Sequence, residues 1–131
     1  MKILGIGVDI IENSRIEKSV KNNLFLKRVF SPKELLQIKS IKDKTSFYAK
    51  RFAAKEAFSK SIGTGFRKNL NFKDISIVND KFGKPYFIIN KKIEKIRLIN
   101  SLFFNDLTIL EFSTISTPIP NIFMTIYWIF F

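Results

Sequence analysis

The chain has 131 residues, with 23 lysines and arginines against 11 aspartates and glutamates, no cysteine and no histidine. The missing residue types exclude disulfides, thiolate nucleophiles, a Ser-His-Asp arrangement and metals bound by cysteine or histidine. Any metal must therefore have oxygen ligands, as Mg²⁺, Mn²⁺ and Ca²⁺ prefer. The formal net charge of +12 predicts an anionic partner, for which nucleic acid, an acidic protein and a polyphosphate ligand are equally suitable.

The first predicted element is a strand over residues 3–11. Its alternation predicts one apolar face and a second face that carries Gly5, Gly7 and Asp9. The two glycines leave bare backbone beside a carboxylate, so another element or a ligand can approach it closely. An Asp9 that only accepts hydrogen bonds from neighbouring amides is the alternative.

No segment has the pattern of an export signal or a membrane span. The apolar run at the start is interrupted by Asp9 and Glu12, and the apolar residues 122–131 are fewer than the ~20 that cross a bilayer. We therefore expect a cytoplasmic protein with no membrane partner.

Three helices are predicted in the first half of the chain. Residues 12–21 form a short helix that exposes cations, among them Arg15. Ser31-Pro32-Lys33-Glu34 is a capping box with proline at the first helical position, and it opens a helix over residues 32–39. A long helix covers residues 45–62 and ends at Gly63.

The second half predicts strands. Residues 74–78 and 85–89 read as a hairpin, residues 90–100 as a short basic helix, and the segment from residue 102 as two strands separated by Pro118 and Pro120. These elements predict one α+β domain over residues 1–131, with a small antiparallel sheet and a long helix.

The long helix carries a carboxylate where an apolar residue is expected. The residues at helical spacing on one face are Ala49, Phe52, Ala53, Glu56, Ala57 and Lys60. An unpaired Glu56 packed in this stripe would cost several kcal/mol, so it needs a cation or a set of donors. A structural ion pair with Lys60, one turn further on, and a bound metal both satisfy this need.

Three segments together resemble the holo-[acyl-carrier-protein] synthases, a group of small 4′-phosphopantetheinyl transferases. They are Gly5-Ile6-Gly7-Val8-Asp9-Ile10, the run RFAAKEAFSKSIGTG at residues 51–65, and Gly83-Lys84-Pro85. The resemblance covers about residues 1–89. It implies the fold of that family and a homotrimer with the active site between neighbouring subunits.

The resemblance also implies the reaction, which is the transfer of 4′-phosphopantetheine from coenzyme A to a serine of apo-acyl carrier protein. Adenosine 3′,5′-bisphosphate is the second product. The implied cofactor is Mg²⁺, held by Asp9 and Glu56. Lys55 is implied to lie at the phosphates, where it could stabilise charge or assist deprotonation of the serine, so the predicted catalytic residues are Asp9, Lys55 and Glu56.

The remaining site residues are also carried over from the family pattern. The predicted coenzyme A contacts are Arg51, Lys60, Gly63, Thr64, Gly65, Gly83, Lys84 and Pro85, and Arg15 is predicted to meet the acidic carrier protein. For three of these residues a role without a ligand is the alternative: a solvated side chain for Lys55, a helix cap for Gly63 and a plain hairpin turn for Gly83.

The end of the chain departs from the family pattern, which has a strand of the type S-I-S-H-T in the region of residues 110–118. Here that region has no histidine, and Pro118 and Pro120 follow. We expect the tail from about Pro118 to be diverged or frame-shifted rather than structural. Two other functions stay open, a small basic nucleic-acid-binding protein and an inactive relative that binds coenzyme A.

Overall fold

The computed structural model describes residues 3–66, 70–90, 109–116 and 122–130. Short 3₁₀ turns cover Ile38–Ser40 and Phe72–Asp74. The helices and strands, in chain order, are β1 (Ile3–Glu12), α1 (Asn13–Ser19), α2 (Asn23–Val29), α3 (Pro32–Gln37), α4 (Lys44–Ser61), β2 (Ile75–Asn79), β3 (Pro85–Ile89), β4 (Ile109–Ser116) and β5 (Ile122–Phe130).

The helix ends follow the sequence signals. Both hydrogen bonds of the predicted capping box are present, since Ser31 Oγ accepts from Glu34 N and Glu34 Oε2 accepts from Ser31 N. Asp43 caps α4 by accepting from Ser46 N at 2.9 Å. Gly63 follows α4 with a φ of 72°, a left-handed conformation that favours glycine, so the predicted glycine stop is confirmed.

Helix α2 was not predicted. Asn22 caps it by accepting from Leu24 N at 2.8 Å, and Val29 is its buried residue. The predicted helix over residues 90–100 lies outside the described residues, apart from Asn90.

The strands form two antiparallel sheets. One has the order β1-β5-β4, and the other is the predicted β2-β3 hairpin. Strand β5 pairs with β1 from Ile3 to Glu12 and with β4 from Ile109 to Ser116. The expectation that the tail is not structural is therefore wrong for residues 122–130, because they supply the central strand whose backbone satisfies both neighbours.

Helix α4 packs directly on β1. A Cβ atom placed on Gly7 would lie 1.7 Å from the carbonyl oxygen of Ala57 and 2.7 Å from the amide nitrogen of Ser61, so only glycine permits this approach. Ala53 and Ala57 are also fully buried. The strand face that carries Asp9 is thus pressed against the helix face that carries Glu56.

Two hydrophobic clusters pack against α4, one at each half of the helix. The first joins its N-terminal half to the preceding helices and includes Ile16, Phe30 and Tyr48. The second joins its C-terminal half to the β2-β3 hairpin and includes Phe58 and Ile77. The opposite face of β1 is unlike either cluster, since Ile6, Val8 and Ile10 on it are 49%, 41% and 56% exposed.

Within the described part of the chain, no helix combines the length and the apolar character that a membrane crossing needs.

Candidate active site

A pocket beside α1 contains both predicted metal ligands. Its volume is about 250 Å³, and its lining residues come from β1, α1, α2 and α4: Asp9, Ile10, Ile11, Arg15, Ile16, Ser19, Phe25, Phe52 and Glu56. Asp9 and Glu56 share this pocket with Arg15 and Ser19. The fold therefore brings together two acidic residues that are far apart in the sequence.

The two carboxylates and Lys60 form one electrostatic cluster. Lys60 Nζ donates to Asp9 Oδ1 at 2.6 Å and to the carbonyl oxygen of Val8 at 3.1 Å. The pKa of the Glu56 carboxyl is raised above its usual value, first by burial and then by repulsion from Asp9, while the charge of Lys60 acts in the opposite direction. Lys60 thus hydrogen-bonds to Asp9, and its effect on Glu56 is through space.

This donor set is suitable for Mg²⁺. Across residues 3–66, 70–90, 109–116 and 122–130, no group of three or more acidic side chains is gathered into a metal site. A pair of carboxylates is nevertheless what Mg²⁺ commonly takes from a protein, since substrate phosphates and waters complete its octahedral shell. Repulsion from Asp9 is, after burial, the second cause of the raised pKa of Glu56, and a shared cation would relieve this repulsion.

Lys55 lies elsewhere. Its side chain is fully buried, and its Nζ donates to Glu34 Oε2 and to the carbonyl oxygen of Val29, both at 2.7 Å. The solvated alternative is therefore wrong, and the predicted contact of Lys55 with the phosphates stays a prediction. In the described structure the Lys55 amine joins α4 to the end of α2 and the start of α3.

Glu34 completes this buried pair. Its Oε1 accepts from the amide of Ile77 at 3.0 Å, and its Oε2 accepts from the amide of Ser31 at 2.8 Å as well as from Lys55. Burial lowers the pKa of the Lys55 amine, and Glu34 opposes that change. One carboxylate thus connects α3, α4 and β2, a role that its place in a capping box did not reveal.

Arg51 is also directed away from the pocket. It is 5% exposed, its guanidinium carbon lies 3.4 Å from the centre of the Phe47 ring, and its Nη2 donates to Asn79 Oδ1 at 2.6 Å. The predicted contact of Arg51 with coenzyme A stays a prediction. Arg51 holds α4 to the end of β2.

The glycine segment after α4 uses its amides internally. Gly63 N donates to Lys60 O at 3.0 Å, and Gly65 N donates to Ser59 O at 3.2 Å. These two amides cap the helix, as the alternative reading had it, and are not free for phosphate. Thr64 Oγ1 is buried without a hydrogen-bond partner among the described residues, so it is the polar atom of this segment that a ligand could engage.

The hairpin residues form a turn organised by Asp80. Asp80 Oδ1 accepts from the amides of Phe82 and Lys84, and Gly83 has a φ of 84°. Gly83 and Lys84 are exposed, Pro85 is half-buried, and none of them lines the pocket. Their predicted contact with the nucleotide stays a prediction.

Sequence reasoning missed three pocket residues, Ile16, Ser19 and Phe25. Phe25 belongs to α2, whose signal was an asparagine cap followed by apolar residues at residues 24–26. Phe52 was recognised only as part of the apolar stripe, and here it forms the wall next to Glu56. Arg15, predicted to meet a protein partner, also lines the pocket and is exposed.

Comparisons with known proteins identify the family to which the chain belongs. The sequence profile of the 4′-phosphopantetheinyl transferase superfamily matches residues 5–118. The chain is 70% identical over 96 residues to the holo-[acyl-carrier-protein] synthase of Pelagibacter ubique, which covers 73% of this chain and 75% of that protein. The chain therefore belongs to the 4′-phosphopantetheinyl transferase superfamily.

Solved structures extend the likeness over nearly the whole chain. The holo-[acyl-carrier-protein] synthase of Neisseria meningitidis has a TM-score of 0.80 and 31% identity, and the match covers 96% of this chain and 97% of that one. The Helicobacter pylori synthase in complex with coenzyme A has a TM-score of 0.74 and 33% identity, over 95% and 98% of the two chains. By family, the chain is a phosphopantetheinyl transferase of the holo-[acyl-carrier-protein] synthase group, with an α+β fold and a small antiparallel sheet.

Proposed function

We propose that this chain transfers 4′-phosphopantetheine from coenzyme A to a serine of apo-acyl carrier protein, in a reaction that requires Mg²⁺. The observation that carries the proposal is the meeting of Asp9 and Glu56 in one pocket, in a chain whose family members act on this carrier. The Helicobacter pylori relative, which was solved with coenzyme A, supports coenzyme A as the donor.

Asp9 and Glu56 are the residues that would hold the metal. When bound, Mg²⁺ would polarise the pyrophosphate and stabilise the charge that develops on the departing phosphate. The apolar walls from Ile11, Phe25 and Phe52 limit the water around these carboxylates, which strengthens each electrostatic interaction in the pocket.

The proposed reaction exchanges one P–O bond for another and moves one proton. The serine oxygen of the carrier attacks the phosphorus that bears the pantetheine arm, and the P–O bond of the pyrophosphate bridge breaks. Adenosine 3′,5′-bisphosphate leaves with that bridging oxygen, and the proton of the serine hydroxyl passes to solvent. Lys55 Nζ already donates to Glu34 and to the carbonyl oxygen of Val29, so the proposal does not use it as the acceptor of this proton.

Arg15 is the cation that the described structure places beside the carboxylates on the α1 side of the pocket. It is exposed at the pocket wall and is followed on α1 by the exposed Lys18. This arrangement supports the proposal that an acidic carrier protein docks along α1, which would bring its serine to the pocket. Lys60 and Thr64 stay proposed contacts of coenzyme A. The Lys60 side chain is exposed, and Thr64 Oγ1 has no hydrogen-bond partner among the described residues.

A homotrimer is also part of the proposal. Its support is the outer face of β1, where Ile6, Val8 and Ile10 are exposed. Their partners in the register of β5 are Trp128, Ile126 and Met124. Water contact with such an apolar strand face is unfavourable, and a second copy of the chain would cover it.

Product analysis tests the proposed function. Apo-acyl carrier protein, coenzyme A and Mg²⁺ are incubated with the protein, and the nucleotide products are separated by chromatography. We expect adenosine 3′,5′-bisphosphate to appear in proportion to the carrier, and not with a carrier whose acceptor serine is replaced by alanine. Binding of coenzyme A without this product would identify an inactive relative. Sequence-independent binding of DNA with a steep salt dependence, again without product, would favour the nucleic-acid-binding alternative.

A further inference from the structure

Lys60 binds the Asp9 carboxylate, which a bound metal would also need. Its Nζ lies 2.6 Å from Asp9 Oδ1, within the range of a strong charge-assisted hydrogen bond. Asp9 is one of the two carboxylates that we propose as metal ligands. An ammonium group at this distance neutralises the same oxygen that a divalent cation would require.

The two partners of this ion pair differ in their surroundings. The side chain of Lys60 is 51% exposed, whereas that of Asp9 is 15% exposed. Lys60 also lies in the last turn of α4, next to the Gly63 cap. The ammonium can therefore turn to solvent or to another anion, while Asp9 is largely buried on the face of β1 that packs against α4.

We propose that Lys60 is an internal counter-cation which holds Asp9 until a divalent cation arrives and then transfers its charge to the phosphates of coenzyme A. This inference rests on the proposed function, because it assumes that Asp9 and Glu56 hold the metal. No covalent bond changes in this exchange: Asp9 gives up one cation and takes another, and Lys60 gives up one anion and takes another.

The exchange has a consequence that a purely structural lysine would not produce. Removing the charge of Lys60 removes a competitor of the metal and also removes a phosphate partner. Metal affinity and coenzyme A affinity should therefore change in opposite directions. A lysine that only stabilised the local fold, or that oriented Asp9 for the metal, would weaken both when replaced.

Binding of Mn²⁺ to the protein alone, followed by the electron paramagnetic resonance signal of free Mn²⁺, is the first measurement. We expect Lys60→Gln to bind Mn²⁺ on the order of tenfold more tightly than the wild type. Lys60→Arg keeps the charge and should remain within about twofold of the wild type, given that the charge causes the effect.

The matched control is Lys44→Gln, which removes one exposed positive charge from the same helix. Lys44 is the first residue of α4, about 24 Å from Lys60 along the helix axis, which is beyond the screening length of ~8 Å at physiological salt. It should bind Mn²⁺ as the wild type does. The second measurement is the affinity for coenzyme A with saturating Mn²⁺, which should fall several-fold in Lys60→Gln and not in Lys44→Gln.

The outcomes separate this inference from the proposed function. Equal or weaker Mn²⁺ binding by Lys60→Gln would overturn the counter-cation role, provided that Asp9→Asn abolishes the site. Mn²⁺ binding that survives unchanged in Asp9→Asn would instead overturn the metal pair, and the inference would fall with it.

Discussion

Replacing Lys55 with methionine is expected to damage the fold rather than the chemistry. In the structure the Lys55 ammonium is fully buried and bonded to Glu34 and to the carbonyl oxygen of Val29. The Lys55→Met side chain has a similar length and no charge. It would leave the buried Glu34 carboxylate with the amide donors of Ser31 and Ile77 but without a cation.

The magnitude follows from the burial of both partners. Breaking a buried ion pair by removing one partner costs about 3–5 kcal/mol, because the remaining charge is uncompensated. A domain of this size is stable by about 5–15 kcal/mol, so the Lys55→Met protein should still fold with a much smaller margin. Glu34→Gln should cost a similar amount. The double variant should be less destabilised than the sum of the two by more than about 1 kcal/mol, because neither charge is then left alone.

Urea denaturation, followed by circular dichroism, measures these free energies of unfolding. The kcat of each variant is measured without urea, at a temperature at which that variant is folded. Lys44→Met on the exposed start of α4 is the control and should change stability by less than about 0.5 kcal/mol. A Lys55→Met protein as stable as the wild type, but with kcat reduced by orders of magnitude, would refute this reasoning. Lys55 would then be a contact of the reacting phosphates.

Three further variants test other parts of the structure. Gly7→Ala should lower the free energy of unfolding in urea by about 1–3 kcal/mol or more and weaken metal binding, because the new Cβ forces β1 away from α4. Wild-type stability together with wild-type metal binding would contradict that packing. The raised pKa of Glu56 favours the folded state below its usual value of 4.5, and this contribution is lost as pH rises through the raised pKa. Glu56→Gln should therefore gain stability relative to the metal-free wild type in melts as pH rises above that usual value, and a constant difference would count against the raised pKa. Ile6→Glu should lower the molar mass measured by light scattering to that of a monomer. Leu36→Glu, at a leucine on α3 that is 67% exposed, is the control and should leave the molar mass unchanged. The same molar mass for both variants would argue against an interface on β1.

Secondary structure could be predicted where the sequence signal involves only neighbouring residues. The strand at the start, the capping box at Ser31 and the glycine stop at Gly63 each depend on a few neighbouring residues, and all three are confirmed. Helix α2 was missed because its seven residues give too little periodicity to stand out, although Asn22 is a good cap. The central place of β5 could not be predicted, since strand order depends on long-range pairing that local patterns do not encode.

The site could be predicted in part. The apolar stripe around Glu56 and the bare strand beside Asp9 identified two carboxylates that needed a partner, and the structure places both in one pocket. Lys55 shows the limit of this reasoning. Its place beside Glu56 on the long helix follows from the sequence, but the element that covers that side of the helix does not. The covering residue is Glu34, whose sequence role was only that of a cap.

The mass of the carrier protein after incubation is the measurement that tests the central claim most directly. Apo-acyl carrier protein is incubated with coenzyme A and the wild-type protein, either with Mg²⁺ or with a chelator, and its intact mass is recorded. The account predicts a mass increase of one phosphopantetheine with Mg²⁺, none with the chelator, and a loss of rate on the order of 10²–10⁴ in Asp9→Asn and in Glu56→Gln. An unmodified carrier, or a modification that proceeds equally in the chelator and in both variants, would contradict it.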